Sequence, residues 1–131
     1  MAETEKQTLR KAERLNSRIL IERLFSGGGK SFPAFPLRIV YMPVEKENLP
    51  VVSILISVPK KRFKRAVKRN RVKRQIREAY RKHRQILTDS LTASGKKAII
   101  AFIWLDNELH SSNEVEAKVK KLLTLTTEHF S

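Results

Sequence analysis

The chain contains no cysteine, which excludes a disulfide scaffold, a thiolate metal site and a thiol nucleophile. Histidine is scarce: His83, His110 and His129 are the only three, too far apart in sequence for a local metal motif. Acids are few, 13 Asp and Glu against 28 Lys and Arg, and they are scattered. The clustered carboxylates that hold the ions of a metal-dependent nuclease are therefore missing. No apolar run reaches the ~18 residues a spanning helix needs, and the N-terminus has no apolar signal core. These absences lead us to expect a soluble, cytoplasmic protein with no membrane attachment.

What is present is a chain of 131 residues, 40% of them hydrophobic. That length suits one domain that buries roughly two thirds of its unfolded surface. The net charge of +15 is extreme for this size and points to a polyanion partner or a membrane surface. The charge is concentrated. Residues 60–84 hold 14 of the basic residues and one acid, Glu78, and so +13 of the net +15. The rest of the chain is nearly balanced. A run of four or five charges would read as a solvated helix face, but thirteen net charges in one segment favour polyanion binding.

Residues 1–13 are polar, without an apolar stripe, and are expected to form a flexible N-terminal tail before a single domain over 14–131. Ser17 can cap a short helix with Ile21, Leu24 and Phe25 as its core candidates. Gly27, Gly28 and Gly29 stop that helix and open a loop through Pro33. No Gly-Lys-Ser/Thr follows them, so they do not make a phosphate loop. Residues 37–42 read as a strand, with Leu37, Ile39 and Tyr41 facing one way and Arg38 and Val40 the other. A polar turn over 43–50 precedes a second strand over 51–58, with Val52, Ile54, Ile56 and Val58 on one face.

After Pro59, a basic loop leads into a long helix from about residue 66 to 87, and Ser94 and Gly95 then break the chain. Residues 98–105 form a third strand, apolar on both faces and so central or well covered. Ser111, Ser112 and Asn113 offer caps for a last helix, with Glu114 and Glu116 in its first turn. Its buried stripe is Val115, Val119, Leu122 and Leu123, joined by Phe130. The expected fold class is α+β: an α-β-β-α-β-α sandwich of a small sheet with covering helices.

Steps of ~100° divide the long helix into three faces. Val72, Ile76, Ala79, Tyr80, His83 and Leu87 form the core stripe, where His83 reads as a packed or partly exposed side chain. Asn70, Lys73, Arg74, Arg77, Arg81 and Arg84 form a basic face. Arg71, Gln75, Glu78 and Lys82 form a mixed one. Close like charges on a helix destabilise it by a few tenths of a kcal/mol per pair. Bound phosphates offset that cost and release counterions, and the guanidinium fork matches phosphate oxygens two at a time. Lys60, Lys61, Arg62, Lys64 and Arg65 extend the patch along the loop. Phe63 within it is either a core anchor or a ring for stacking on a base.

Arg69-Asn70-Arg71, followed by Lys73-Arg74 and Arg77, resembles the RNR signature of the bacterial ribonuclease P protein component. The flanks are similar too: Ser57-Val58-Pro59-Lys60-Lys61, Phe63-Lys64-Arg65-Ala66-Val67-Lys68, and Ile76-Arg77-Glu78-Ala79-Tyr80. The resemblance covers roughly residues 14–130. Ile21 departs from the pattern where the family often has a second aromatic, and Pro59 where it often has a small polar residue.

The resemblance implies a left-handed β-α-β crossover around the RNR helix, against the general right-handed rule. It implies that a catalytic RNA subunit, with bound Mg²⁺ held mainly by that RNA, removes the 5′ leader from precursor tRNA. The protein's partners would be the ribonuclease P RNA and precursor tRNA, with no obligate protein partner. Carried over by position, Lys60, Lys61, Arg69, Asn70, Arg71, Lys73, Arg74 and Arg77 would bind RNA. Asn70, which can donate and accept at once, could also orient the arginines or a hydrated metal. Phe25, Arg38, Val40 and Tyr41 would line a cleft for the single-stranded leader, where an aromatic stacks with little regard to sequence. Phe25 reads equally well as a plain core residue.

The implied role is that of an accessory subunit with no catalytic residues and no metal site of its own. The three histidines lie on different expected elements, with no motif to join them as general acid and base. A structural RNA-binding protein of ribosomal type fits the composition equally well; the RNR block and its flanks separate the two. A basic-region zipper would need heptads after Arg84, and none continue. A membrane-surface helix would need the apolar face that the core requires.

Overall fold

The computed structural model describes residues 18–45 and 49–130. The expected tail, the Ser17 cap and the middle of the expected 43–50 turn lie outside these residues. Helix α1, Arg18–Arg23, continues into a wider turn over Leu24–Gly28. Strands β1 (Lys30–Ala34) and β2 (Leu37–Val44) form an antiparallel hairpin, followed by β3 (Val52–Ser57). Helices α2 (Ala66–His83) and α3 (Gln85–Ser94) lead to β4 (Lys97–Trp104), and α4 (Ser112–Phe130) completes the described chain.

The sheet order is β1-β2-β4-β3. β4 runs antiparallel to β2 and parallel to β3, so α2 and α3 form the crossover between two parallel neighbours. The class is α+β, as expected, with two differences in element order. Residues 30–34 are a strand rather than a loop. Pro33 is tolerated there because β1 is an edge strand, where a missing amide donor leaves the ladder intact. The long helix ends at His83 rather than near Leu87, and a separate helix occupies 85–94. Gly95 closes it in the left-handed conformation that glycine adopts without a Cβ penalty.

The sheet has an apolar core on each face. On one, Leu37, Ile39 and Tyr41 of β2, Val52 and Ile54 of β3, and Ile100, Phe102 and Trp104 of β4 pack beneath the three later helices. Val72, Ile76, Tyr80, Leu87, Leu91, Val119 and Leu122 meet them there. On the other, Leu20 of α1 and Leu24 of the wider turn cover Met42, Ile99 and Ala101. β4 contributes to both cores, which is why its sequence is apolar throughout and its place is central.

α4 begins with a capping box: the Glu114 amide donates to Ser111 Oγ at 3.2 Å, and the Ser111 amide to Glu114 Oε1 at 3.4 Å. It is tied to α2 by His83 and Glu116, 2.7 Å apart, and by Gln75, whose side-chain amide donates to Ser112 Oγ at 3.1 Å and to His110 O, just before the helix, at 3.0 Å. His83 is thus a partly exposed structural histidine, and Gln75 and Lys82 of the mixed face reach α4 while Arg71 and Glu78 stay exposed.

Candidate nucleic-acid interface

Two surfaces hold the candidate residues. The first is the 59–65 loop with the N-terminal half of α2. Residues 60–74 contain ten Lys and Arg and no acid. Lys60, Lys61, Lys64, Arg65, Lys68, Asn70, Arg71 and Arg74 are exposed; Arg69, Lys73 and Arg77 are partly so. Further along the helix part of the charge is compensated. Arg81 donates to both Glu78 carboxylate oxygens, at 2.9 and 2.6 Å, and this bond holds the Glu78 carboxyl below its ordinary range. Lys82 lies 3.9 Å from Glu116. The basic face expected to run to Arg84 therefore has its charge least compensated in the first half of α2.

The loop that precedes α2 has a defined shape. The Arg62 amide donates to Pro59 O at 3.0 Å, closing a turn. Phe63 is buried in the main core, so of its two readings the core anchor holds. Arg69 reaches back from the helix, and its Nη1 donates to Phe63 O at 2.7 Å and to Lys64 O at 2.8 Å. Arg65 stands at the helix N-cap with no side-chain cap bond, and no acid sits in the first turn. The first-turn amides thus add their partial positive charge to the cationic patch.

The second surface is the sheet face under α1. Arg38 is exposed and Val40 half-buried on this face. Across the register, Arg38 pairs with Ile103, and Ile103 with Ser57, both partly exposed. This row runs beside the part of the face that α1 covers, and it ends two residues before Pro59, where the basic loop begins. Ile103 and Ser57 escape a reading of the sequence; strand alternation around Arg38 finds them only once the pairing is known.

Phe25 is 47% exposed, beside the buried Leu24 and at the end of α1 that abuts Val40. It is not a core residue; Leu20 and Leu24 hold that place. Tyr41 departs from its expected site. It is 1% exposed and lies on the opposite face, stacked on Phe32 at 5.6 Å and edge-on to Phe130 at 5.4 Å. Successive strand side chains point to opposite faces, so Tyr41 cannot share a cleft with Arg38 and Val40. Burial pushes its phenol pKa upward.

Among the described residues, no three His, Asp or Glu gather to hold a metal ion. No described helix is long and apolar enough to cross a membrane.

An α+β domain with its unbalanced cations on one loop and helix, beside a partly open sheet face, is built to bind a polyanion. The family model described as Ribonuclease P matches residues 9–126. The chain belongs to that family and is a protein component of ribonuclease P, the tRNA-processing ribonucleoprotein, with an RNA subunit as its partner. The ribonuclease P protein component of Porphyromonas gingivalis is 46% identical over 115 residues, covering 88% of this chain and 83% of that one. The one from Chlorobaculum tepidum is 36% identical over 111 residues, covering 79% and 71%. Among solved structures, the Staphylococcus aureus RNase P protein superimposes with a TM-score of 0.68 at 20% identity, covering 88% of this chain and 96% of that one. The Thermotoga maritima protein gives 0.66 at 24%, covering 86% and 96%. These two likenesses carry the fold.

Proposed function

We propose that this chain is the RNA-binding, non-catalytic subunit of its ribonucleoprotein. The RNA subunit carries the active site and hydrolyses a phosphodiester of precursor tRNA in the cytoplasm, releasing the 5′ leader. Lys60, Lys61, Asn70, Arg71, Lys73, Arg74 and Arg77 meet phosphates of RNA, with Arg69 supporting the loop among them. The leader lies along the open row of the sheet, where Arg38 offers a cation and Phe25 and Val40 offer apolar contact. The observation that carries this reading is the ten cations without an acid over residues 60–74. A folded RNA supplies the missing negative charge and gains from counterion release.

Mg²⁺ belongs to this reading through the RNA. The carboxylates and histidines of the described chain do not form a donor set for it, so no step is assigned to a protein-held ion. The protein's part is to bind, orient and screen: cations beside the RNA reduce phosphate repulsion and lower the Mg²⁺ concentration the complex requires.

Reconstitution tests this. The protein added to the ribonuclease P RNA subunit should restore precursor-tRNA cleavage at a Mg²⁺ concentration where the RNA alone is slow. The protein without RNA should cleave nothing at the leader junction. Site-specific cleavage by RNA-free protein would overturn the reading.

A further inference from the structure

Arg69 and Arg71 belong to one signature but meet different surroundings. Arg71 is exposed, whereas Arg69 is partly buried and spends both Nη1 protons on two consecutive carbonyls, Phe63 O at 2.7 Å and Lys64 O at 2.8 Å. A planar guanidinium suits such bridging, because two N–H bonds leave one nitrogen at a fixed angle. Those protons are then not offered to a phosphate. The bonds land where the loop most needs support. Lys60, Lys61, Arg62, Lys64 and Arg65 repel one another, and a free loop of such composition would spread. Phe63 fixes its middle in the core, and Arg62 Nη1 reaches Asn107 Oδ1 at 3.4 Å. Arg69 fixes the stretch from that anchor to the helix and holds the two carbonyls while the Lys64 and Arg65 side chains stay exposed.

We propose that Arg69 is a positioning residue: it acts on RNA binding by holding the 59–65 loop in shape for the phosphate backbone, not by touching a phosphate itself. This rests on the proposed RNA-binding role of the loop, and the experiment separates the two.

Binding of the full chain to the ribonuclease P RNA subunit is measured against salt for wild type, Arg69→Ala, Arg69→Lys, the triple variant Lys60→Ala/Lys61→Ala/Lys64→Ala, and the triple variant combined with each Arg69 change. Arg69→Lys keeps the charge and serves where Arg69→Ala loses its fold. Both Arg69 variants should bind about tenfold more weakly. Their salt slope should match wild type, because the loop lysines still reach phosphate in the complex and the lost affinity is the entropy of ordering the loop. Hydrogen exchange at residues 63–66 should speed up in Arg69→Lys while the sheet stays protected. In the triple background the Arg69 penalty should shrink several-fold, since of the loop's cations only Arg62 and Arg65 are left to position. A direct phosphate contact gives the opposite pattern: Arg69→Lys binds like wild type, the Arg69→Ala slope falls by about one unit, and the penalty persists in the triple background. That pattern overturns the proposal. If the triple variant alone binds like wild type, the loop is not an RNA surface, and the parent reading of the loop falls with the inference.

Discussion

Gly29 stands directly against Leu24. A β-carbon on Gly29 would come within 2.7 Å of Leu24 O and 2.9 Å of Val40 Cγ1. The close approach seats the end of α1 on β2, beside the proposed leader row. Gly29→Ala should force the Leu24 backbone outward and cost about 1–3 kcal/mol. A lowered melting temperature, with weaker binding of leader-bearing precursor than of mature tRNA, is the expected result. An unchanged melting temperature would mean that α1 is not held to the sheet at this point.

Phe25 lies one residue from that contact. Its 47% exposure means that Phe25→Ala removes less buried area than the ~3–5 kcal/mol cases of fully buried phenylalanines. Stability should fall by about 1–2 kcal/mol. Affinity for precursor carrying a leader should fall by a further ~1–3 kcal/mol relative to mature tRNA, the worth of one stacked base. Equal losses for the two RNAs would remove Phe25 from the leader site.

Arg74 is exposed on the basic face of α2, one helical turn beyond the RNR residues. Arg74→Ala should reduce the slope of log affinity against log salt by about one unit, the signature of one lost phosphate contact. It should leave the melting temperature within the range of ordinary surface substitutions, about ±0.5 kcal/mol. An unaltered slope would place Arg74 away from the phosphates.

His110 carries a pH dependence. Its Nε2 bonds Asp106 Oδ2 at 2.7 Å, and its Nδ1 lies 3.5 Å from Glu114 Oε2. The bond to Asp106 first, and then the one to Glu114, raises the imidazole pKa above its usual value. The Asp106 carboxyl is held low chiefly by His110, and that of Glu114 chiefly by the Ser111 amide and then by His110. A raised histidine pKa stabilises the fold fully below the unfolded value of about 6.5, and the gain is lost as pH rises through the folded value. The melting temperature should therefore drop across that window in wild type and stay flatter in His110→Gln. The lowered carboxylates act at the acid end, where stability falls as pH drops through their folded values. Parallel curves for the two proteins above pH ~6.5 would rule out the His110 contribution.

Much of this architecture is legible in the residues. Alternation in 51–58 places Val52, Ile54 and Val58 in one core, and the two-faced apolarity of residues 98–104 gives β4 its central place. Ser111 and Glu114 announce the start of α4. Local signals fail where tertiary context decides. The β1 segment, Lys-Ser-Phe-Pro-Ala, has turn-like composition and becomes a strand only because β2 offers it an edge. Residues 85–94 are rich in Ser and Thr, yet Leu87 and Leu91, four apart, bury one face and hold a helix. The basic residues are evident as a set, but their division is not. That Arg81 pairs with Glu78 and Arg69 turns onto the loop depends on side-chain geometry that spacing does not fix. The family resemblance offers Tyr41 for the leader cleft, although strand alternation already sets it on the other face from Arg38 and Val40.

The most direct measurement compares the affinity of the pure protein for the ribonuclease P RNA subunit and for an unstructured polyanion of equal length, at near-cellular ionic strength. The expected result is a clear preference for the folded RNA, with a salt slope that several lost phosphate contacts would flatten. Equal affinity for both polymers would contradict it, leaving the cations of residues 60–77 as a solvated surface without a specific RNA partner.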